Sequence, residues 1–216
     1  MVAELLEKCL DILNIDVKND YKQTLISYWI LLLSKNETIN LISPHGSLEY
    51  KVVNHLVDSL TPLRLPWPRG MRIMDFGSGG GLPGIPLQIF NPGWYVTLVE
   101  SKLKKANFLK EVTQDLKLKN CNVIDSRVDG SYQFKDGLFE LIVARAIGKI
   151  YDIIPKINKF LKVGGIFLAY KGPKYAEELA LSQPVLKKYN YQLNHKEFFT
   201  LPYVNAERNL LVFKKL

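Results

Sequence analysis

From residue 71 to the end of the chain, short apolar runs alternate with amphipathic stretches, and that alternation leaves few folds open. Residues 71–75, 95–100, 121–125, 138–144 and 166–171 have the length and apolar content of buried strands. Helical patterns separate them: one begins over 84–90, and others run over 102–118, around 151–161 and over 173–189. On the 102–118 helix, Leu103, Ala106, Leu109, Val112 and Leu116 recur at helical spacing and are expected to face inward. Strand and helix in turn predict a mainly parallel sheet covered on both faces. Segments 191–199 and 209–214 have no helix between them, so they are expected to pair antiparallel at one edge.

The first 65 residues follow a different pattern. Tyr21, Leu25, Tyr28, Trp29, Leu32 and Leu33 form one apolar helical stripe, read as core rather than as a base-stacking platform. Residues 36–46 are polar and break the pattern, and a third helix is expected over 47–60. Three prolines and a glycine in 62–70 read as a linker. The expected organisation is a helical region over 1–65 and an α/β domain over 66–216, packed as one compact unit. With 216 residues, 47% of them hydrophobic, the chain can bury a full core. The first ten residues carry Glu4, Glu7 and Lys8 and do not read as a secretory signal. The apolar run at 30–33 is too short to span a bilayer, and Cys9 and Cys121 match no metal spacing. A cytoplasmic protein with no membrane association and no metal is expected.

The strongest local signal is Asp75-Phe76-Gly77-Ser78-Gly79-Gly80-Gly81-Leu82-Pro83-Gly84, which follows a strand and opens a helix. Such a loop lets the backbone turn tightly and approach a ligand closely. The second strand ends in Glu100, where a carboxylate can take a ribose diol. Two cofactors use a site of this kind. A dinucleotide wants G-x-G-x-x-G, which Gly79, Gly81 and Gly84 satisfy. S-adenosyl-L-methionine wants an acidic residue before G-x-G-x-G, here Asp75 before Gly77, Gly79 and Gly81. The second is preferred on physical grounds. Pro83 and Pro86 remove N–H donors that a pyrophosphate would need, and Asp75 suits an ammonium and a sulfonium better than a phosphate. A merely tight strand–helix turn would need neither Asp75 nor Glu100.

Further motifs run along the chain: Asn40-Leu41-Ile42-Ser43, His55-Leu56-Val57-Asp58-Ser59, Leu82-Pro83-Gly84-Ile85-Pro86 and Thr97-Leu98-Val99-Glu100-Ser101. They continue with Ser126-Arg127-Val128, Ala144-Arg145-Ala146, Lys171-Gly172 and Glu207-Arg208-Asn209-Leu210. Over nearly its whole length the sequence resembles the RsmG (GidB) family of bacterial small-subunit rRNA guanine-N7 methyltransferases. The resemblance implies a Rossmann-like, seven-stranded class I S-adenosylmethionine-dependent methyltransferase fold with an N-terminal helical extension. The antiparallel ending suits that sheet. It also implies a cofactor pocket drawn from Asp75, Gly77, Gly79, Leu82, Glu100, Ser101, Val128, Asp129 and Arg145. Glu100 would take the ribose, and Val128 and Asp129 would flank the adenine. His55, Asp58 and Arg145 are the candidate catalytic residues. Asn54 departs from the family, which usually has Arg before the His; a phosphate contact there would be lost or moved to Lys51. The implied partner is 16S rRNA, free or as a 30S subunit or assembly intermediate, with the protein acting as a monomer.

The residues fit that chemistry. Guanine N7 carries an exposed lone pair and needs no deprotonation, so alignment and exclusion of water do most of the work. The chain after the fourth strand reads Arg145-Ala146-Ile147-Gly148, without the Asn/Asp-Pro-Pro-aromatic element of exocyclic-amine methyltransferases. His55 and Asp58, three apart on a helix, share a face and either shape the substrate site or brace the helix against the domain. Arg145 in an apolar strand needs a partner, and a ligand or RNA phosphate is preferred over an internal carboxylate. The net charge of +8 favours a polyanionic partner, and Lys102, Lys104, Lys105, Lys110, Arg127, Lys171 and Lys174 suggest a basic rim around the cleft. The alternatives are a small-molecule methyltransferase of the same fold and a non-catalytic cofactor- and RNA-binding ribosome assembly factor.

Overall fold

The computed structural model describes residues 1–126 and 134–216. The amino-terminal part is helical: α1 (Val2–Ile12), α2 (Asn19–Asn36) and a helix that begins as α3 (Leu48–Lys51), widens into a π-helical turn (Val52–Val57) and ends as α4 (Asp58–Leu60). A 3-10 turn (Thr61–Arg64) leads into β1 (Arg72–Phe76), α5 (Gly84–Phe90), β2 (Tyr95–Val99), α6 (Leu103–Asp115) and β3 (Cys121–Ile124). Then come β4 (Phe139–Arg145), α7 (Ile150–Ile157), β5 (Leu161–Lys171), α8 (Tyr175–Lys188), β6 (Tyr191–Leu201) and β7 (Ala206–Lys215).

Among the described residues the strands form one seven-stranded sheet in the order β3-β2-β1-β4-β5-β7-β6. Strands β1 to β5 pair in parallel, as apolar runs separated by helices require. β7 enters antiparallel between β5 and β6. The order reverses at β1, between β2 and β4, and opens a crevice at the carboxyl ends of the strands there.

Side chains alternate across the sheet, so the core has two halves. Ile73, Leu98, Leu141 and Val143 face the layer that holds α5, α6 and the amino-terminal helices. Met74, Phe76, Ile142 and Ala144 face α7 and α8. The stripe on α2 lies in the first layer: Leu25, Tyr28, Trp29 and Leu32 are fully buried, and Tyr21 packs edge-on against Phe90.

Two sequence expectations are corrected. Leu103 is exposed rather than inward, because it is the first residue of α6 and precedes the stripe of Ala106, Leu109 and Val112. β5 begins at Leu161, five residues before the expected 166. The pairing with β4 steps from Phe139–Leu161 to Leu141–Ile166, so the glycines at 164 and 165 lie in an irregular bulge within the strand instead of a loop before it. Among the described residues no helix is long and apolar enough to cross a membrane, and no three His, Cys, Asp or Glu side chains cluster to hold a metal ion.

Arg64 stitches the helical region to the sheet edge. It donates to the Leu13 carbonyl and pairs with Glu197 of β6 at 3.0 Å, and its guanidinium lies over the Phe199 ring. Arg64→Ala leaves the Leu13 carbonyl and one oxygen of the half-buried Glu197 carboxylate without their donor. Urea unfolding should show a loss of about 1–3 kcal/mol, and an unchanged midpoint would refute this role.

Candidate active site

The glycine loop is held from every side by bonds that its sequence prepares. The Gly77 and Ser78 amides donate to the Val99 carbonyl at 2.9 and 3.0 Å, tying the end of β1 to the end of β2. Gly77 has a φ of +79°, and a Cβ there would overlap the Ile147 side chain. The buried Tyr28 hydroxyl donates to the Gly80 carbonyl at 2.7 Å, so an aromatic of the core stripe also braces the loop. Glu100 clamps the other side: its Oε2 accepts from the Gly79 amide at 2.9 Å and its Oε1 from the Lys102 amide at 2.8 Å.

Asp75 does not reach the cleft. It is buried, and its Oδ2 accepts the Gly84 amide at 2.9 Å across nine residues of loop. Burial pushes its carboxyl up to about 7; the bonds from Gly84 and Ser78 and the charge of Arg145 pull the other way, and Glu100 adds to the rise. Asp75 therefore shapes the loop, where the sequence pattern had placed it against the cofactor's charges. The same bond closes the start of α5 to a pyrophosphate. Gly84 gives its amide to Asp75, Ile85 to Gly81, Leu87 to Pro83, and Pro86 has none to give.

Two clefts open beside the loop. The first, about 500 Å³, is bordered by Gly77, Gly79, Leu82, Glu100 and Ser101 among others. The second, about 540 Å³, is bordered by His45, Tyr50, Asn54, Asp58, Lys171 and Arg208 among others. Ser43, His55, Arg145 and Ala146 belong to both and form a common wall. Ala146 adopts a φ of +55°, unusual for a residue with a Cβ, as the chain turns out of β4 at that wall. A larger cavity of about 870 Å³ lies elsewhere, between the 65–71 segment and the bulged start of β5, and holds none of these residues. The expected adenine neighbours Val128 and Asp129, and the rim residue Arg127, lie outside the described residues.

The wall is built on charge. Asp58 is buried and accepts from Arg145 Nη1 at 3.1 Å on one oxygen, with Arg208 Nε 3.3 Å from the other. Burial pushes the Asp58 carboxyl up, and the two guanidinium groups pull it down. Arg145 also donates to the His55 carbonyl at 3.1 Å. The π-helical turn presents that carbonyl, as such widened turns often do at functional sites. Arg145 thus has an internal carboxylate as its partner, in place of the ligand or phosphate that its lone position in an apolar strand had favoured. His55 is neutral at physiological pH: burial lowers its imidazole to about 4, helped by Arg145, Arg208 and Lys51. Among the described residues its Nε2 is buried without a hydrogen-bond partner.

Among the described residues the basic rim is narrower than the sequence suggested. Lys102 and Lys105 border the first cleft. Lys171 is held by Glu178 at 2.7 Å and Lys110 by Asp125 at 2.7 Å. The sequence placed Tyr28 in the core but not against the loop, and gave Arg208 no role in the site. A lone arginine at the start of a strand that continues Asn209-Leu210-Leu211-Val212 was the available signal for Arg208. Asn54 gains a role too, because its Oδ1 accepts from Arg208 Nη2 at 2.8 Å.

This strand order, with a glycine loop and an acidic second-strand terminus at the switch point, defines the fold of the S-adenosylmethionine-dependent methyltransferases. Among solved structures, M. jannaschii TYW2 in complex with AdoMet superposes with a TM-score of 0.60 at 16% identity, covering 80% of each chain. A SAM-dependent methyltransferase from Aquifex aeolicus gives 0.59 at 15% identity, covering 83% of this chain and 97% of that one. The family model for rRNA small subunit methyltransferase G (GidB) matches residues 21–210, and the chain belongs to that family. It is 37% identical over 210 residues to the ribosomal RNA small subunit methyltransferase G of Xylella fastidiosa, covering 97% of this chain and 93% of that protein. Against the protein of the same name from Alkaliphilus metalliredigens it is 32% identical over 207 residues, covering 94% and 86%.

The Asp75 environment gives a pH prediction with a definite sign. The native carboxyl holds its proton up to about 7, while an unperturbed one releases it near 3.8. Between those values the folded form binds more protons, so this group's contribution to stability falls as pH rises from about 4 to 7 and levels off above. Asp75→Asn removes the ionisation and should flatten that slope in urea unfolding across the window. A slope equal to that of the wild type would show that Asp75 does not titrate there.

Proposed function

We propose that this protein transfers the methyl group of S-adenosyl-L-methionine to N7 of a guanine in small-subunit (16S) ribosomal RNA, with the first cleft for the cofactor and the second for the RNA. The observation that carries the reading is the common wall of Ser43, His55, Arg145 and Ala146, across which a methyl group in one cleft can meet a nucleophile in the other.

The first cleft suits the cofactor. Each Glu100 oxygen is engaged by one backbone amide and keeps a further lone pair for a ribose hydroxyl. Gly77, Gly79 and Ser101 border that cleft with small residues that a nucleoside can approach closely, and Leu82 adds an apolar side chain. When bound, S-adenosyl-L-methionine supplies an electrophilic methyl group on a sulfonium. The chain's own work is positional. Guanine N7 presents its lone pair without losing a proton, so the wall needs no general base, and a neutral His55 adds no positive charge beside the sulfonium. Asp58 and Arg145 act by holding the wall in place, and the first 65 residues serve as the half of the site that supplies Ser43, His55 and Asp58.

Incubation with methyl-labelled S-adenosyl-L-methionine and, separately, 30S subunits, free 16S rRNA or a metabolite extract tests the proposal. Label is expected in RNA at a guanine N7. Label in small molecules alone, or in nothing, would overturn it. Glu100→Ala should weaken cofactor binding in calorimetry by about 10- to 150-fold, the equivalent of losing charge-assisted hydrogen bonds worth about 1.5–3 kcal/mol. Unchanged affinity would remove the first cleft from the account.

A further inference from the structure

Tyr50 is a large aromatic left 45% exposed, and it borders the second cleft beside His45 and Arg208. Its placement is built in several steps. Ser47 caps α3, its Oγ accepting the Tyr50 amide at 3.2 Å. The Tyr50 ring lies against Gly46, whose φ is +93°, and a Cβ at that position would collide with the ring. The Tyr50 carbonyl accepts from Asn54 Nδ2 at 3.2 Å, and the same amide's Oδ1 accepts from Arg208 at 2.8 Å. A backbone cap, a glycine seat and an amide bridge thus fix an aromatic side chain and a guanidinium on one rim.

The reaction proposed above says what such a rim meets. N7 lies on the major-groove edge of guanine. In A-form RNA that groove is deep and narrow, and side chains do not reach into it. The target strand must therefore enter unpaired, with bases that have lost a stacking neighbour and need a new face. Tyr50 borders the second cleft and not the first, so it lies on the substrate side rather than beside the cofactor. We infer that Tyr50, seated on Gly46 and bridged through Asn54 to Arg208, is the stacking face for an unpaired base of the RNA substrate. The inference rests on the proposed reaction. It adds that the substrate is recognised as an unpaired segment through a π-face, in addition to the charge of its backbone.

Steady-state methylation of 30S subunits and of free 16S rRNA by the wild type, Tyr50→Ala and Tyr50→Phe tests it, with cofactor affinity measured in parallel. Tyr50→Ala is expected to lower kcat/KM for RNA on the order of tenfold or more, the usual cost of losing one base–aromatic stack. Tyr50→Phe should restore most of that loss, and the cofactor affinity of both variants should match the wild type. An active wild type with an undiminished Ala variant would overturn the stacking role alone. A Phe variant as impaired as Ala would also overturn it, because the hydroxyl and not the ring would then be acting. A wild type inert on RNA would sink the proposed reaction, and this inference with it.

Discussion

The carboxylate of Asp58 sits buried between the guanidinium groups of Arg145 and Arg208, and both clefts are built around that contact. It joins three elements that the chain makes far apart: the end of the amino-terminal helix, the carboxyl end of β4 and the start of β7. Burying the Asp58 carboxylate and most of two guanidinium groups costs several kcal/mol, so the cluster adds little net stability over an apolar plug of the same shape. It contributes geometry instead. Removing one partner strands the others in a low-dielectric wall at a cost of about 3–5 kcal/mol, so the helix has essentially one place to sit. With the helix in that place, its π-helical turn hands the His55 carbonyl to Arg145, and the imidazole is left on the wall between the clefts.

The same cluster changes how the basic balance of the chain bears on function. A net charge of +8 suggests free cations around the cleft. Several of the cations nearest the site are instead occupied: Arg145 and Arg208 with Asp58, and Lys171 with Glu178. Their charge is spent on architecture. Among the described residues, Lys102 and Lys105 border the cofactor cleft, beside the cleft proposed for the RNA. Recognition of the substrate therefore depends on shape and on aromatic and amide surface as much as on counterion release.

What the sequence made legible was local, and what it hid was distant. Alternating runs give the parallel sheet, because a strand buried on both faces can hardly be written otherwise. The glycine loop and Glu100 are legible for the same reason: they lie one strand apart, and Glu100 bonds back to the loop it follows. Asp75 was recognised but its bond to the Gly84 amide was not, since only the folded loop brings that amide onto it. The partner of Arg145 lies 87 residues away and that of Arg208 on Asn54 154 residues away, so no spacing rule reaches either. The β5 bulge escaped because Gly164-Gly165 reads as a turn until a neighbouring strand is there to pair around it. Asn54 read as a lost arginine, and in the fold it is the acceptor that aims another one.

Asp58 and Arg145 act as one unit that holds the wall between the cofactor and substrate clefts. A double-mutant cycle of Asp58→Asn and Arg145→Gln, read in kcat/KM for methyl transfer to RNA, measures this directly. If the pair acts as a unit, each single change lowers kcat/KM strongly and the double variant falls little further. Losses that multiply across the cycle would mean that the two residues act independently, and would contradict the account.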